Sequence, residues 1–348
     1  MQFVCCFQEY TTIQKLNNST LTLNATDQDY SYSDYPENAF QHFTIAAAIA
    51  TAICLFGLVG NLIVFWYLSF KIKRNKYTVY IINLSVADSI FLLFTIPVLI
   101  IYINTLTGTN PLFEGKKSFL IFLEICCDSA QYSGMFILTA ISLERCLSVL
   151  FPFWYQCHRP QNLSVIICVS VWLIGCSEGL IENLVCTEEA FISPTTECTA
   201  VQIIVLGLSV AICLPIMVIS SFTLLIKIRR NFSEQYPQKL YIIIIAAVFI
   251  FIISVIPINF VWFLMYFQLL GSDMATIGFY FAGIFCLVLN CTINPYIYFI
   301  VGKKWKRKSS HSIQHCLERA FRTEDDDSKS NKISNISSQT NLGSTISF

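Results

Sequence analysis

Ile141-Ser142-Leu143-Glu144-Arg145-Cys146-Leu147 ends an apolar stretch that begins at Phe119. About a quarter of the residues in an ordinary soluble domain are charged. Here 13% of 348 residues are charged and 55% are hydrophobic. About 20 largely apolar residues cross a bilayer as one helix, because the backbone must be hydrogen-bonded internally where water is absent. Charge-free runs of that order occur at 38–70, 89–113, 160–177, 198–226, 240–272 and 274–302. A shorter run, 129–143, becomes a span when extended back to Phe119 across Glu124 and Asp128. The expected fold is therefore an all-α membrane protein with seven transmembrane helices. They are placed near 43–70, 77–104, 118–149, 162–186, 198–229, 239–270 and 275–301. Glu144 and Arg145 then end the third span.

The charges sort by compartment even though they sum to zero. Lys71, Lys73, Arg74 and Lys76 lie in the first loop, and Lys227, Arg229, Arg230 and Lys239 flank the fifth connection. Lys303, Lys304, Lys306, Arg307 and Lys308 follow the last span. With Arg145, Arg159 and the tail residues, 19 of 22 basic residues share one side; only Lys15, Lys116 and Lys117 fall on the other. The positive-inside rule predicts an extracellular N-terminus and a cytoplasmic C-terminus. Met1–Phe7 lacks the basic leader of a signal peptide, so the first span is expected to serve as the targeting signal.

Four regions follow. Residues 1–42 form an acidic, disordered extracellular leader. It carries sequons at Asn17, Asn18 and Asn24, and Tyr30, Tyr32 and Tyr35 in acidic surroundings that suit sulfation. Residues 43–302 form the bundle. Residues 303–321 read as an amphipathic helix on the inner leaflet, its lysines drawn to anionic lipid, with Cys316 a palmitoylation candidate. Residues 322–348 form a disordered tail rich in Ser and Thr, a substrate for receptor kinases if the chain is a receptor.

Ionisable residues inside a membrane are functional hypotheses by default. Asp88 lies midway along the second span, where Asn290 and Asn294 of the seventh can face it and, with water, hold a sodium ion. Glu178 and Glu182 share a face near the outer end of the fourth helix, and Glu124 and Asp128 repeat that spacing on the third. Four carboxylates in a low-dielectric cleft concentrate a cationic ligand, a basic peptide or an amine. The bland reading of each acid is an unpaired interfacial side chain. Cys186 and Cys198 bracket an acidic loop in an oxidising compartment, and a bridge there is worth about 3 kcal/mol.

Glu144-Arg145 ending the third span and Asn294-Pro295-Tyr296-Ile297-Tyr298 ending the seventh resemble the signatures of rhodopsin-like G protein-coupled receptors. Cys146-Leu147-Ser148-Val149-Leu150-Phe151-Pro152-Phe153-Trp154-Tyr155-Gln156-Cys157-His158-Arg159-Pro160 narrows this to the Mas-related receptors, a resemblance covering roughly residues 43–325. It implies a switch made of Glu144, Arg145, Asn294, Pro295 and Tyr298. Arg145 pairs with Glu144 at rest and turns to a heterotrimeric G protein on activation, of the Gq or Gi class, with phospholipase C and calcium downstream. Receptor kinases and arrestin are implied partners. Leu120 stands where most rhodopsin-like receptors carry a bridging cysteine, and Cys186 with Cys198 matches the family's alternative bridge. Val255 replaces the usual tryptophan two residues before Pro257, and Gly134 stands where many receptors give sodium a serine. Glu182 matches the acid that relatives use for cations, whereas Gln202 replaces a second acid found in some of them.

A decoy receptor that binds ligand without signalling is disfavoured by the intact Glu144-Arg145 pair. A transporter is disfavoured by the lack of an inverted repeat. No His-Glu-x-x-His, Gly-x-Ser-x-Gly or paired catalytic Asp motif occurs, so no enzyme activity, cofactor, metal or nucleic-acid partner is expected.

Overall fold

A computed structural model of the chain describes residues 37–106, 117–186, 195–230, 238–267, 269, 274–304 and 313–321. The sequons at Asn17, Asn18 and Asn24, the three leader tyrosines and the 322–348 tail lie outside the described residues.

Described residues form helices and no strand. The order is α1 (Glu37–Trp66, continued by a π-turn at Tyr67–Lys71), α2 (Thr78–Leu106), α3 (Lys117–Leu150), the short α4 (Pro152–Cys157) and α5 (Leu163–Val185). Then come α6 (Thr196–Leu206), a π-turn at Gly207–Cys213, α7 (Leu214–Arg230), α8 (Gln238–Tyr266), α9 (Met274–Lys304) and α10 (Ile313–Phe321). With α6, its π-turn and α7 counted as one rod, seven helices are long and apolar enough to cross a membrane. They lie where the charge-free runs place them.

Local chemistry sets the helix starts. The Asn75 side chain accepts the backbone N–H groups of Tyr77 and Thr78 at 3.0 and 2.9 Å, and the Thr78 hydroxyl accepts that of Asn75. This reciprocal cap satisfies donors that the first turn leaves open. Pro152 opens α4, where its missing N–H costs nothing. Thr195 caps α6 by accepting the N–H of Cys198.

Neighbouring helices close a ring from α1 through α2, α3, α5, α6 and α7 to α8 and α9, and α9 returns to α1. The rod α3 runs through the middle, touching α2, α5, α7 and α8. Phe56, Phe222, Phe249 and many other large apolar side chains face outward, as a bundle surrounded by lipid requires. Inside, one apolar cluster around Tyr80, Ile137, Phe251 and Tyr298 fills the Arg145 end. A second, around Cys54, Leu92, Leu123 and Val288, joins α1, α2, α3 and α9. The wholly buried Leu317 pins α10 to the first cluster.

Lipid supplies no hydrophobic drive between helices, so close backbone contact must do that work. At the α3–α5 crossing, Gly175 and Gly179 meet Ser133 and Ser129. A Cβ on either glycine would sit 2.6 Å from the facing backbone nitrogen. Gly207 meets nothing within 4 Å. Gly179→Leu is therefore expected to destabilise the bundle by about 1–3 kcal/mol through overpacking, with Gly207→Ala near neutral. Thermal unfolding of the purified protein in detergent checks this, and equal melting temperatures for the two variants would refute the close crossing.

Candidate functional site

Polar side chains gather at three levels inside the ring. At the level where α3 ends, Glu144 and Arg145 are 5% and 3% exposed. The two do not pair in the way the resemblance implies. Arg159, beyond α4, forms a salt bridge with Glu144 and donates its Nε–H to Glu144 Oε1. Tyr155 of α4 donates to the same oxygen at 2.8 Å. Arg159 also donates to the Ser164 hydroxyl, which donates at 2.9 Å to the Lys76 carbonyl. Arg145 instead lies against the ring of Tyr77, and its Nε and Nη2 have no hydrogen-bond partner. The physical reason is helical: adjacent residues point to different faces, so Glu144 turns toward α4 and α5 while Arg145 turns inward. Burial lowers the basicity of Arg159, but the Glu144 carboxylate outweighs it and leaves the guanidinium above its ordinary value. Tyr298 of α9 is buried at this level with Tyr241 of α8.

Midway along the bundle, Asp88 accepts the Asn294 amide at 2.8 Å. Asn290, Gln131 and Gly134 line the same small cavity, which has room for about one water. A Cβ at Gly134 would meet Ala87 and Leu84 at 3.8 and 4.0 Å, so the space for a serine hydroxyl is present and the hydroxyl is not. Asp88 and two asparagines thus supply fewer oxygen ligands than a cation favours. Beside them, Asn61 of α1 donates to the Cys291 carbonyl at 2.9 Å. That carbonyl lies four residues before Pro295, which has no N–H to offer it. Asn61 thus replaces the missing helix bond. Trp172 of α5 donates to Asn83 of α2 at 3.0 Å.

At the other end stand the four acids, all buried. Tyr132 of α3 donates to Glu182 Oε2, and Gln202 of α6 donates to Glu182 Oε1 at 3.1 Å. Asn183 donates to Asp128 at 2.9 Å. Among the described residues, neither oxygen of Glu178 has a hydrogen-bond partner. Asn183 and Glu182 are neighbours on α5, so the donor to Asp128 and the carboxylate that takes the Tyr132 hydroxyl join α3 to α5 at the same depth. Glu124 is buried one turn further along α3. Above them the Cys186–Cys198 disulfide is formed and fully buried, packed with Tyr266 of α8. Tyr266 shares a 2.9 Å hydrogen bond with Thr199 of α6, and Gln202 contacts Cys186 as well as Glu182. One set of contacts therefore links the acids, the bridge and the far end of α8.

Tyr132, Asn183, Arg159, Tyr155 and Asn61 were missed as site residues by sequence reasoning. Tyr132, Asn183 and Asn61 are marked only by polarity within an apolar run, shared by many residues that do nothing of the kind, whereas Tyr155 and Arg159 lie in the 146–160 stretch that carries the family resemblance.

Residues 60–298 match the family model described as 7 transmembrane receptor (rhodopsin family). The chain is 35% identical over 289 residues to the human protein named Proto-oncogene Mas, covering 82% of this chain and 86% of that one. It is 32% identical to Mas-related G-protein coupled receptor member D of Macaca fascicularis, over 80% and 86% of the two chains. It is 28% identical to the human Mas-related G-protein coupled receptor member X1, over 89% and 91%.

Removing one partner from a buried ion pair leaves the other charge uncompensated. Arg159→Ala is thus expected to cost about 3 kcal/mol, more than Arg145→Ala, and adding Glu144→Gln should recover most of that loss. Chemical or thermal unfolding of the three variants tests the partner assignment. If Arg145→Ala proves the more damaging change, the assignment fails.

Proposed function

The chain belongs to the rhodopsin family of seven-transmembrane receptors and, within it, to the Mas-related G protein-coupled receptors, and on that premise we propose that it signals the arrival of a cationic ligand, a basic peptide or an amine. It is a multi-pass receptor of the plasma membrane, not an enzyme, with a ligand and a heterotrimeric G protein as partners.

The burial of Glu124, Asp128, Glu178 and Glu182 together at the bundle end opposite Arg145, with Glu182 and Asp128 held by neutral donors, carries the ligand proposal. In that low-dielectric site a cation gains far more from a carboxylate than it would in water. The positive-inside count orients this end outward, with the N-terminus outside and the C-terminus inside. Glycans on Asn17, Asn18 and Asn24 belong to the outer side. Kinase and arrestin engagement of the Ser/Thr-rich tail, and palmitoylation of Cys316, belong to the inner side.

The mechanism follows from the contacts. A ligand shifts a conformational equilibrium only by binding one state better than the other. Ligand cations at the acids bear on Glu182, whose partner Gln202 touches the disulfide that packs against Tyr266 of α8. Pro257 interrupts α8, and Val255 beside it is small, so the far half of α8 pivots without displacing a large ring. Swinging α8 away at the other end withdraws Tyr241 from beside Tyr298 and opens that side of the level where Arg145 rests on Tyr77. A guanidinium suits the task because it stays charged and reaches several acceptors at once. Gq or Gi coupling, with calcium release through phospholipase C, completes the proposal. Asp88, Asn290, Asn294 and Pro295 join the two halves, with water rather than sodium in the cavity because Gly134 brings no hydroxyl.

Two measurements test this reading. In calcium-dye-loaded cells expressing the full chain, Glu182→Gln should raise the half-maximal concentration of active basic peptides at least about tenfold, the equivalent of 1.4 kcal/mol. An undiminished response removes that carboxylate from the site. Separately, Arg145→Ala should abolish ligand-stimulated nucleotide exchange on the G protein while leaving surface expression intact.

A further inference from the structure

Hydrogen-bond donors are distributed unevenly among the buried acids. Glu182 receives Tyr132 and Gln202, and Asp128 receives Asn183. Glu178 receives none at either oxygen from the described residues, although it is only 9% exposed. It lies on α5 between Gly175 and Gly179, whose close approach to Ser133 and Ser129 brings this stretch of α5 against α3. A carboxylate taken out of water without donors is costly, by several kcal/mol in real proteins. The described residues supply donors to its neighbours and none here, which leaves Glu178 open to a partner from outside the chain.

Position gives that partner a shape. Glu178 and Glu182 are one turn apart on α5, a rise of about 6 Å, with Glu178 the deeper of the two. Glu182 accepts the Tyr132 hydroxyl, and Glu178 shares its face of the helix. We propose that Glu178 is the counter-ion for a second, deeper cationic centre, so that the site selects dications: α,ω-diamines, or peptides presenting two cationic groups about one helical turn apart. The proposal rests on the cationic-ligand reading above and deepens it by assigning the two acids of α5 to two charges. Gln202 favours this arrangement, because an amide on α6 binds Glu182 without adding a competing carboxylate there.

The test uses the purified full-length receptor in lipid nanodiscs, with thermal unfolding as the readout and putrescine, cadaverine and butylamine as probes. Wild type should be stabilised by putrescine at concentrations at least tenfold below those needed for butylamine. Glu178→Gln should erase that advantage, raising the putrescine concentration needed to the range in which butylamine acts on the same variant. Glu178→Asp, which keeps the charge on a shorter arm, should move the preference toward cadaverine and serves where Gln is not tolerated. A wild type indifferent to the second amine, or a Glu178→Gln variant that still prefers putrescine, overturns the proposal. Failure of the broader reading looks different: butylamine and basic peptides would then act undiminished on Glu182→Gln.

Discussion

A bilayer offers no hydrogen-bond partner, and that one constraint organises this molecule. Backbone groups answer it by forming helices long enough to cross. Side chains answer it by turning inward and finding one another. The Asn61 amide on the carbonyl that Pro295 leaves open is the plainest case, since a defect in one helix is repaired by a polar residue of another. Trp172 on Asn83 and Asn294 on Asp88 extend the same logic across the bundle.

The central rod α3 carries the consequences. It meets α5 closely enough that Gly175 and Gly179 lie against the backbone of Ser133 and Ser129. That approach sets Tyr132, on the same helix, within reach of Glu182. Eleven residues after Ser133, the same rod ends in Glu144 and Arg145. Packing between two helices thereby positions both the acidic cluster and the arginine.

Buried charge of opposite sign occupies the two ends. At the disulfide end, acids are gathered with neutral donors, and Glu178 has none among the described residues. At the Arg145 end, Glu144 is neutralised within the chain by Arg159, so Arg145 does not have to serve as its counter-ion. An arginine held by aromatic rings rather than by a carboxylate needs little electrostatic work to release. Between the ends, the disulfide and Tyr266 tie the acids to α8, the helix whose proline allows it to bend.

The amino-acid sequence by itself determined the seven spans, the placement of Glu144 and Arg145 at the end of the third, and the shared face of Glu178 and Glu182. These follow from hydropathy and helical period, which act over a few residues and are legible locally. The family resemblance added the Cys186–Cys198 pairing. Only the tertiary structure decided that Arg159 rather than Arg145 takes Glu144, that Tyr132 and Gln202 hold Glu182, and that Glu178 is left without a donor. Those outcomes depend on which helices cross, at what depth and how closely. Partners separated by 15 to 50 residues are chosen by that geometry, and no local pattern records it.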